Sequence, residues 1–274
     1  MDYPKQKIVA IANQKGGMGK TTTAINLAAA LSALGQRVLL VDLDPQGNAS
    51  TGVGIEADQR DLSTYELLLE ENVDLRALIK PTKTRNLFII PATVDLSSAD
   101  IDLVSNEKRS FLLRQALRQQ KMQDQGFDYI VIDCPPSLNL LTVNAMIAAD
   151  SVLVPLQSEF FALEGLSQLM LTVREVRQAG NPELRIEGVL LTMYDTRNNL
   201  SLQVEQDARD TLGELVFRTM VPRNVRLSEA PSFAMSVLEY DPQSKGAAAY
   251  ENLAREIMSR QIQQKDAQYD KTGS

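Results

Sequence analysis

Residues 7–23, KIVAIANQKGGMGKTTT, join a short apolar run to a glycine-rich loop that ends in one lysine and three threonines. The run KIVAIAN predicts a buried strand, and the residues that follow Lys20 predict a helix. The sequence Gly19-Lys20-Thr21 matches the end of the phosphate-loop motif G-x-x-x-x-G-K-[ST], whereas Gln14 stands where that motif has its first glycine. The stretch therefore predicts a variant phosphate-binding loop between a strand and a helix.

The rest of the chain repeats this alternation of apolar runs and helical patterns. Further apolar runs are RVLLVDLD (37–44), NLFIIPA (86–92), DYIVIDC (128–134), SVLVPLQ (151–157) and IEGVLLTMY (186–194). Their near-continuous hydrophobicity is typical of parallel strands that are buried on both faces. The helical patterns are TTTAINLAAALSALG, FLLRQALRQQ, LNLLTVNAMIAA, EGLSQLMLTVREVRQ and LSLQVEQDARDTL. The predicted class is α/β, with a doubly wound, mostly parallel β-sheet flanked by helices.

The domain organisation is predicted from the weaker segments. Residues 47 to 84 contain only short helical pieces that end at Pro81, which predicts an insertion at the edge of the sheet. A further short strand, FRTMV, is predicted at 217–221. We expect a single phosphate-loop domain over residues 1–260 and a polar, frayed C-terminal tail over residues 261–274.

The composition excludes several classes of chemistry. The 274 residues carry a formal net charge of −7, no histidine and one cysteine. Histidine-based acid–base catalysis and an internal disulfide are therefore excluded, and the N-terminus shows no signal-peptide pattern. No apolar segment reaches the length of a membrane span. We expect a protein of the reducing cytoplasm without a membrane partner, and any contact with DNA has to be focused on a local basic site.

The loop residues suit phosphate chemistry. Gly16, Gly17 and Gly19 allow backbone N–H groups to point at phosphate oxygens, and the helix N-terminus favours negative charge. Lys20 would neutralise the β- and γ-phosphates of ATP, and the hydroxyl of Thr21 would coordinate Mg²⁺. The alternative is a glycine-rich turn that merely connects a strand to a helix.

Three aspartates disfavour that alternative because they follow predicted strands. Asp42 and Asp44 end the run RVLLVDLD, and Asp133 ends the run DYIVID. Open α/β sheets bind ligands at the carboxyl ends of their strands, where these carboxylates are expected to meet the loop. Asp133 matches the carboxylate that holds Mg²⁺ in phosphate-loop ATPases, directly or through a water molecule. A lone aspartate would be interpreted as a turn or cap residue, but three of them beside the loop predict a site for ATP and Mg²⁺.

Three segments together resemble the deviant Walker A ATPases, and among them the ParA/Soj-type partition ATPases: KGGMGKTT (15–22), DLDPQGN (42–48) and IDCPPS (132–137). The likeness continues in GVLLTMYDTRNNLS (188–201) and VPRNVRLSEAPSF (221–233). The resemblance implies an ATP hydrolase that forms a face-to-face homodimer with ATP between the subunits. In such a dimer the family's signature lysine, which is Lys15 here, reaches the partner's nucleotide. A cation supplied in trans would stabilise the charge that develops on the γ-phosphate.

The resemblance also assigns the remaining site residues. Asp44 matches the carboxylate that orients the attacking water, so Lys15, Lys20 and Asp44 are the expected catalytic residues. Met18 belongs to the nucleotide-binding loop, and Thr22 is expected near the α-phosphate or as a support of the loop. Gly16 is expected where the two loops approach each other in the dimer.

The second half of the chain supplies the other expected contacts. By resemblance, Pro222 and Arg223 lie beside the adenine, and Arg197 and Arg226, with Arg223 as a neighbour, contact DNA. Residues 185–230 hold six arginines, no lysine and seven acidic residues, so no linear basic patch exists. The alternative is that these arginines are ordinary solvated or ion-paired side chains.

The resemblance implies a nucleoid-associated protein with two partners. These are double-stranded DNA, bound without sequence preference by the ATP dimer, and a ParB-type centromere-binding protein that stimulates hydrolysis. The result would be segregation of chromosome or plasmid DNA. Only 14 residues precede Lys15, which leaves no room for an N-terminal helix-turn-helix domain. The alternative function is that of a MinD-like or orphan ParA ATPase that positions a protein cluster and has no DNA partition role.

Overall fold

The computed structural model describes the backbone of residues 6–70, 72–158 and 162–272, and it describes their side chains except at 100, 162–165 and 264–272. The strands are β1 (Lys7–Ile11), β2 (Val38–Asp42), β3 (Lys80–Pro81), β4 (Leu87–Ile90), β5 (Tyr129–Asp133), β6 (Ser151–Gln157) and β7 (Arg185–Thr192). They form one seven-stranded sheet in the order β3-β4-β2-β5-β1-β6-β7. Neighbouring strands run parallel except the short edge strand β3, which is antiparallel to β4.

Helices cover both faces of this sheet. They are α1 (Lys20–Ala33), α2 (Asn48–Gly52), α3 (Thr64–Leu69), α4 (Leu75–Leu78), α5 (Ala99–Asp102), α6 (Leu112–Arg118), α7 (Gln120–Gln123), α8 (Leu140–Ala148), α9 (Ala162–Ala179), α10 (Asn199–Leu212), α11 (Val225–Glu229), α12 (Val237–Tyr240) and α13 (Lys245–Thr272). The predicted doubly wound α/β class is confirmed. Within the described residues, no helix is both long and apolar enough to cross a membrane.

The core is split into two layers by the sheet. Successive side chains of a strand point to opposite faces, so Ile8 and Ala10 of β1 pack into one layer and Val9 and Ile11 into the other. The first layer is closed by α6, α8 and α9, and the second by α1 and α13. Burial on both faces explains why the strands are nearly continuous apolar runs rather than alternating patterns.

Several local predictions were wrong for identifiable reasons. The predicted strand FRTMV does not form: the isolated bridges on either side of it are made by Val216 and Pro222, and within it the N–H groups of Arg218 and Thr219 donate to the carboxylate of Glu256 on α13. The predicted single helix over 111–120 is interrupted at Gln119, whose extended backbone (ψ 152°) separates α6 from α7. The segment 47–84 contributes the unpredicted edge strand β3.

The last helix enters the predicted tail. Helix α13 runs from Lys245 to Thr272 and so includes residues 261–272 of the tail predicted over 261–274, and the domain boundary at residue 260 stays a prediction. The side chains from residue 264 onward, and residues 273 and 274 altogether, lie outside the described residues.

A buried ion pair fixes the amino-terminal edge of the sheet. Lys7 on β1 donates from Nζ to Oε1 of Glu187 on β7 at 2.8 Å, and Ser151 on β6 donates to the other oxygen of that carboxylate. Both charged side chains are less than a tenth exposed. Three strands are therefore cross-linked by one carboxylate that has no access to water.

Removal of the lysine from this ion pair is predicted to be costly. Lys7→Met leaves the Glu187 carboxylate buried without its counter-charge and should lower the free energy of unfolding by about 3–5 kcal/mol. The double variant Lys7→Met/Glu187→Leu should recover most of that loss, because it removes both charges. Urea unfolding followed by circular dichroism measures both, with the exposed Lys245→Met as a control. A single variant as stable as the wild type would contradict a structural role for the pair.

Candidate active site

The loop between β1 and α1 lies at the carboxyl edge of the sheet and ends in two left-handed glycines. Gly17 and Gly19 have φ angles of 76° and 81°, a region that side chains with a Cβ rarely adopt. Gly19 also caps α1, so the first backbone N–H groups of the helix have no intrahelical partner and face the loop. Gly16 and Gly17 are exposed, and an added Cβ at either would meet nothing within 4 Å. The loop is an open cradle for an anion.

Two long-range hydrogen bonds hold this cradle against the sheet. Asn13 donates from Nδ2 to the carbonyl of Pro155 at 2.7 Å and accepts from the backbone N–H of Lys15. Thr192, at the end of β7, donates from Oγ1 to the carbonyl of Met18 at 3.1 Å. The loop is thus attached to both strands, β6 and β7, on one side of β1.

The two lysines of the loop occupy different environments. Lys20 is only 6% exposed, and its Nζ donates to the carbonyl oxygen of Lys15 at 3.2 Å. Burial lowers the pKa of Lys20, and the nearby charge of Asp133 opposes that shift. Lys15, in contrast, is exposed on the loop.

Asp133 is the most unusual group of the site. It is fully buried at the end of β5, and neither carboxylate oxygen makes a hydrogen bond of regular geometry in the described structure, although the hydroxyl of Thr21 lies nearby. Burial raises the pKa of Asp133 well above its usual range, and the neighbouring charge of Asp42 raises it further, whereas Thr21 and Lys20 oppose the shift. A buried carboxylate without donors is costly unless a cation completes its surroundings.

The other two aspartates have different environments. Asp42 is fully buried and accepts from the N–H of Ser50 at 2.8 Å and from its hydroxyl at 2.6 Å. Burial raises the pKa of Asp42 to about 6. Asp44 accepts at Oδ1 from the N–H of Gln46. Asp42 is therefore an anchor of its loop, whereas Asp44 retains an oxygen for other ligands.

The turn that carries Asp44 requires a glycine. Gly47 has a φ angle of 63°, and an added Cβ would lie 2.3 Å from Nη1 of Arg60. That guanidinium is held by the carbonyls of Ile55 and Ala92 and cannot move away without breaking these bonds. The DPQGN turn is therefore fixed in place under the carboxyl edge of β2.

Helix α1 is fastened to the second core layer beneath the site. Thr23 shares a hydrogen bond of 3.2 Å with the hydroxyl of the fully buried Tyr250. Asn26 donates to the carbonyl of Thr22 and accepts from the N–H of Val237 at 2.7 Å. Thr22 therefore supports the helix through its carbonyl, and its partly exposed side chain remains at the loop.

The predicted adenine segment follows the end of β7. Tyr194 donates its N–H to the carbonyl of Val221 and accepts from the N–H of Arg223, so Pro222 bridges to it in a parallel arrangement. Pro222 and Arg223 therefore lie beside Tyr194, which is two residues beyond Thr192, the residue that donates to the carbonyl of Met18. The adenine contact itself stays a prediction.

The three predicted DNA arginines lie in different electrostatic settings. The side chain of Arg197 is 87% exposed and makes a two-point contact with Asp195, whose pKa it lowers to about 2 with a smaller contribution from Arg223. Arg226 is paired with two carboxylates, at 2.8 Å from Glu229 and 3.3 Å from Asp241. Arg197 and Arg223 therefore share the single carboxylate of Asp195, whereas Arg226 faces two carboxylates.

Comparison with known proteins decides the family. A sequence model of the AAA domain matches residues 6–186. Chromosome partitioning protein ParA of Caulobacter vibrioides is 55% identical over 255 residues, which are 93% of this chain and 95% of that protein. The sporulation initiation inhibitor protein Soj of Bacillus subtilis is 52% identical over 251 residues, 92% of this chain and 98% of that protein. The chain belongs to the ParA/Soj family of ATPases.

A solved structure extends this result to the ligand. Cobyrinic acid a,c-diamide synthase from Mycobacterium smegmatis, crystallised with bound ADP and magnesium, is 39% identical. It superposes with a TM-score of 0.79 and covers 91% of this chain and 93% of that chain. The enzyme described here is accordingly a phosphate-loop ATP hydrolase that uses ATP and Mg²⁺.

The residues present fit this ligand pair. No group of three or more Cys, Asp or Glu side chains in the described part of the chain forms a metal-binding cluster of its own. Mg²⁺ commonly takes one or two protein oxygens together with substrate phosphates. The unpartnered carboxylate of Asp133 and the hydroxyl of Thr21 match that pattern.

Several residues of this ATPase site carry no local sequence signal. Thr192 and Met18 are 174 residues apart, and Asn13 and Pro155 are 142 apart. Ser50 was also missed as the partner of Asp42. Thr and Ser at these positions are indistinguishable in sequence from ordinary strand-end and turn residues, so only the fold identifies them.

The raised pKa of Asp42 predicts a pH dependence of stability. A carboxyl whose pKa is about 6 in the folded state, against 3.8 in the unfolded state, binds its proton more tightly when folded. The free energy of unfolding therefore falls as the pH rises from about 4 to about 6. In nucleotide-free Asp42→Asn this contribution is absent. We expect its stability relative to the wild type to improve by about 1 kcal/mol between pH 5 and pH 7.

Urea unfolding of both proteins at the two pH values measures this difference. Asp124→Asn, at an exposed position far from the site, is the control and should show no change in relative stability. If the free energies of unfolding of the wild type and of Asp42→Asn depended equally on pH, burial would not raise the pKa of Asp42 in the folded protein.

Proposed function

We propose that this ATPase segregates DNA through a cycle of ATP-dependent pairing. ATP binding joins two copies face to face, the dimer binds double-stranded DNA without sequence preference, and hydrolysis, stimulated by a ParB-type centromere-binding protein, releases it. The names of two relatives, both chromosome partitioning protein ParA and 53–55% identical over 93% of the chain, support this role. It would act in the cytoplasm on the nucleoid, and chromosomal DNA is the favoured cargo because both relatives are named chromosome partitioning proteins.

The observation that carries the proposal is that one loop lysine is buried and the other is exposed. Lys20 is buried beside Asp133 and belongs to the pocket of its own subunit. Lys15 is exposed on an open loop whose glycines, Gly16 and Gly17, leave space for another chain to approach. A lysine in that position can neutralise a phosphate outside its own pocket, and the γ-phosphate of a facing subunit is the group that requires it.

The proposed ATP hydrolysis uses the groups of one subunit and a lysine of the second. The N–H groups at the start of α1 and the ammonium of Lys20 bind the β- and γ-phosphates and hold them in position. Thr21 and Asp133, the latter directly or through water, would hold Mg²⁺, which would supply charge neutralisation at these oxygens. Asp44 orients the attacking water from the carboxyl edge of β2. Lys15 from the second subunit completes the stabilisation of the γ-phosphate, so nucleotide state and pairing state change together.

A series of hydrogen bonds connects the phosphate loop to the arginines of the proposed DNA surface. Thr192 holds the loop at Met18, and Tyr194, two residues later, holds the segment that carries Arg223. Asp195 then fixes Arg197. The proposed DNA surface therefore lies at the carboxyl end of β7, which is also hydrogen-bonded to the phosphate loop.

The lysine hypothesis predicts different defects for the two lysines. Lys15→Ala should bind a fluorescent ATP analogue but fail to dimerise, because the pocket of its own subunit is intact. Lys20→Ala should lose nucleotide binding, because the buried cation that faces the phosphates is gone. Nucleotide titration and sedimentation with ATP and Mg²⁺ measure the two properties. Normal hydrolysis or pairing by Lys15→Ala would contradict the assignment in trans.

The DNA hypothesis predicts a nucleotide-dependent and salt-dependent retention on duplex DNA. Protein with a nonhydrolysable ATP analogue should be retained, and protein with ADP should not. Arg197→Ala should weaken binding and reduce the slope of log K against log salt by about 2 for a dimer, since each phosphate contact contributes about 0.9. Arg226→Ala should have a smaller effect, because Glu229 and Asp241 already balance its charge.

The control for this experiment is Arg76→Ala, an exposed arginine on α4. Equal retention with both nucleotides, or no retention at all, would contradict the DNA role and favour an ATPase that positions a protein cluster. A variant at Arg76 that binds as weakly as Arg197→Ala would show that the contact is general electrostatics rather than a defined surface.

A further inference from the structure

Residues 108–121 are the most basic stretch of an acidic protein. They contain five basic residues and no acidic one, whereas the whole chain has a formal net charge of −7. Among the described residues, Lys108, Arg109, Arg114 and Lys121 have no carboxylate within ion-pair distance, and all four are exposed. The fifth, Arg118, is half-buried and pairs with Asp150 at 2.7 Å.

These charges frame a depression on the outer side of α6. Its lining residues, here named the α6 surface, are Lys108, Phe111, Arg114, Gln115, Arg118 and Gln119, around a volume of about 620 Å³. Arg114 is steadied by one hydrogen bond to the carbonyl of Ile147. The side-chain amides of Gln115 and Gln119 make no hydrogen bond to other described residues. The depression therefore offers cations and unused amides together.

A second groove, lined by both polar and apolar side chains, continues from this depression towards α3 and α4. It has a volume of about 450 Å³ and shares Lys108, Gln115 and Gln119 with the α6 surface. Its apolar lining includes side chains that are only partly covered by the core: Leu69, Val73, Leu112 and Ala116. Lys121 lies on its rim, and Glu70 is its single carboxylate among the described lining residues.

We propose that the α6 surface and this groove dock an acidic peptide segment of a partner protein. Apolar side chains of the segment enter the groove, its carboxylates meet Lys108 and Arg114, and its backbone or polar groups satisfy the amides of Gln115 and Gln119. The site is separate from the phosphate loop, because no residue of 14–23 lines either volume. The proposal stands independently of the partition cycle.

The partly covered apolar side chains in the lining of the groove and of the α6 surface favour a peptide over a nucleic acid as occupant. A DNA backbone would use the cations but would leave Leu69, Val73 and Leu112 exposed to water, because phosphate and sugar have no apolar group to bury there. An acidic peptide with regularly spaced leucines uses both parts of the surface. Burial of the groove side chains then adds hydrophobic free energy to the charge attraction.

The test uses the full-length protein and fluorescence anisotropy of a short labelled peptide of glutamate and leucine at helical spacing. The wild type should bind this peptide, and binding should weaken with salt. Lys108→Glu/Arg114→Glu should weaken it by about tenfold or more, which corresponds to about 1.4 kcal/mol. The matched control is Lys245→Glu/Arg255→Glu, two exposed residues of α13 on the other face of the sheet with the same charge change; it should bind as the wild type does.

Two further peptides and one nucleic acid complete the design. Peptides with lysine in place of every glutamate, or serine in place of every leucine, should not bind. Equal ATPase activity and thermal midpoints of the two double variants and the wild type show that the fold and the phosphate site are intact. The proposal is overturned if the glutamate–leucine peptide does not bind the wild type at about 1 mM. It is equally overturned if charge reversal at Lys108 and Arg114 leaves that binding unchanged, or weakens retention on duplex DNA and not the peptide.

Discussion

The buried carboxylate of Asp133 is the constraint on which the site depends. It ends β5 in the middle of the sheet, makes no hydrogen bond of regular geometry to the described residues, and lies close enough to Lys20 for each charge to shift the pKa of the other group. Such a group is destabilising in an empty pocket and favourable once cations and phosphates surround it. The fold tolerates this local cost because strands on both sides, β1 and β2, pair with β5 along its whole length.

The second constraint is how the loop is held. Asn13 and Thr192 attach it to neighbouring strands at its two ends, and Thr23 attaches α1 to Tyr250 on α13. These contacts leave the glycines between them as the part that can adapt to a ligand. A rigid frame with an adaptable centre is the arrangement expected of a site that has to recognise phosphate geometry.

The sequence predicted the sheet class, the loop and the aspartates because these depend on short-range patterns. Runs of apolar residues between helical segments indicate a parallel sheet, and strands confined to such sheets place their carboxyl ends together. The predictions that were wrong have a common cause, which is contact with residues that are distant in the sequence. FRTMV has strand propensity, but Glu256 on α13 captures the N–H groups that a ladder would need. The break at Gln119 and the edge strand β3 likewise depend on tertiary packing.

The same distinction applies within the site. Asp42 and Asp44 look alike in DLDPQGN, yet one oxygen of Asp42 accepts two hydrogen bonds from Ser50, whereas Asp44 accepts one from the N–H of Gln46. No spacing rule separates the two. Arg226 matched the family pattern as well as Arg197 did, and only the fold places Glu229 and Asp241 against it.

The hydrogen bond from Lys20 to the carbonyl of Lys15 has a consequence of its own. A lysine ammonium has three N–H donors, so Lys20 can keep the loop's own peptide oxygen and still donate to an incoming phosphate. The contact with the Lys15 carbonyl therefore holds the ammonium in place before a nucleotide arrives. Less side-chain conformational entropy is then lost on binding, which favours affinity without any shift of a strand.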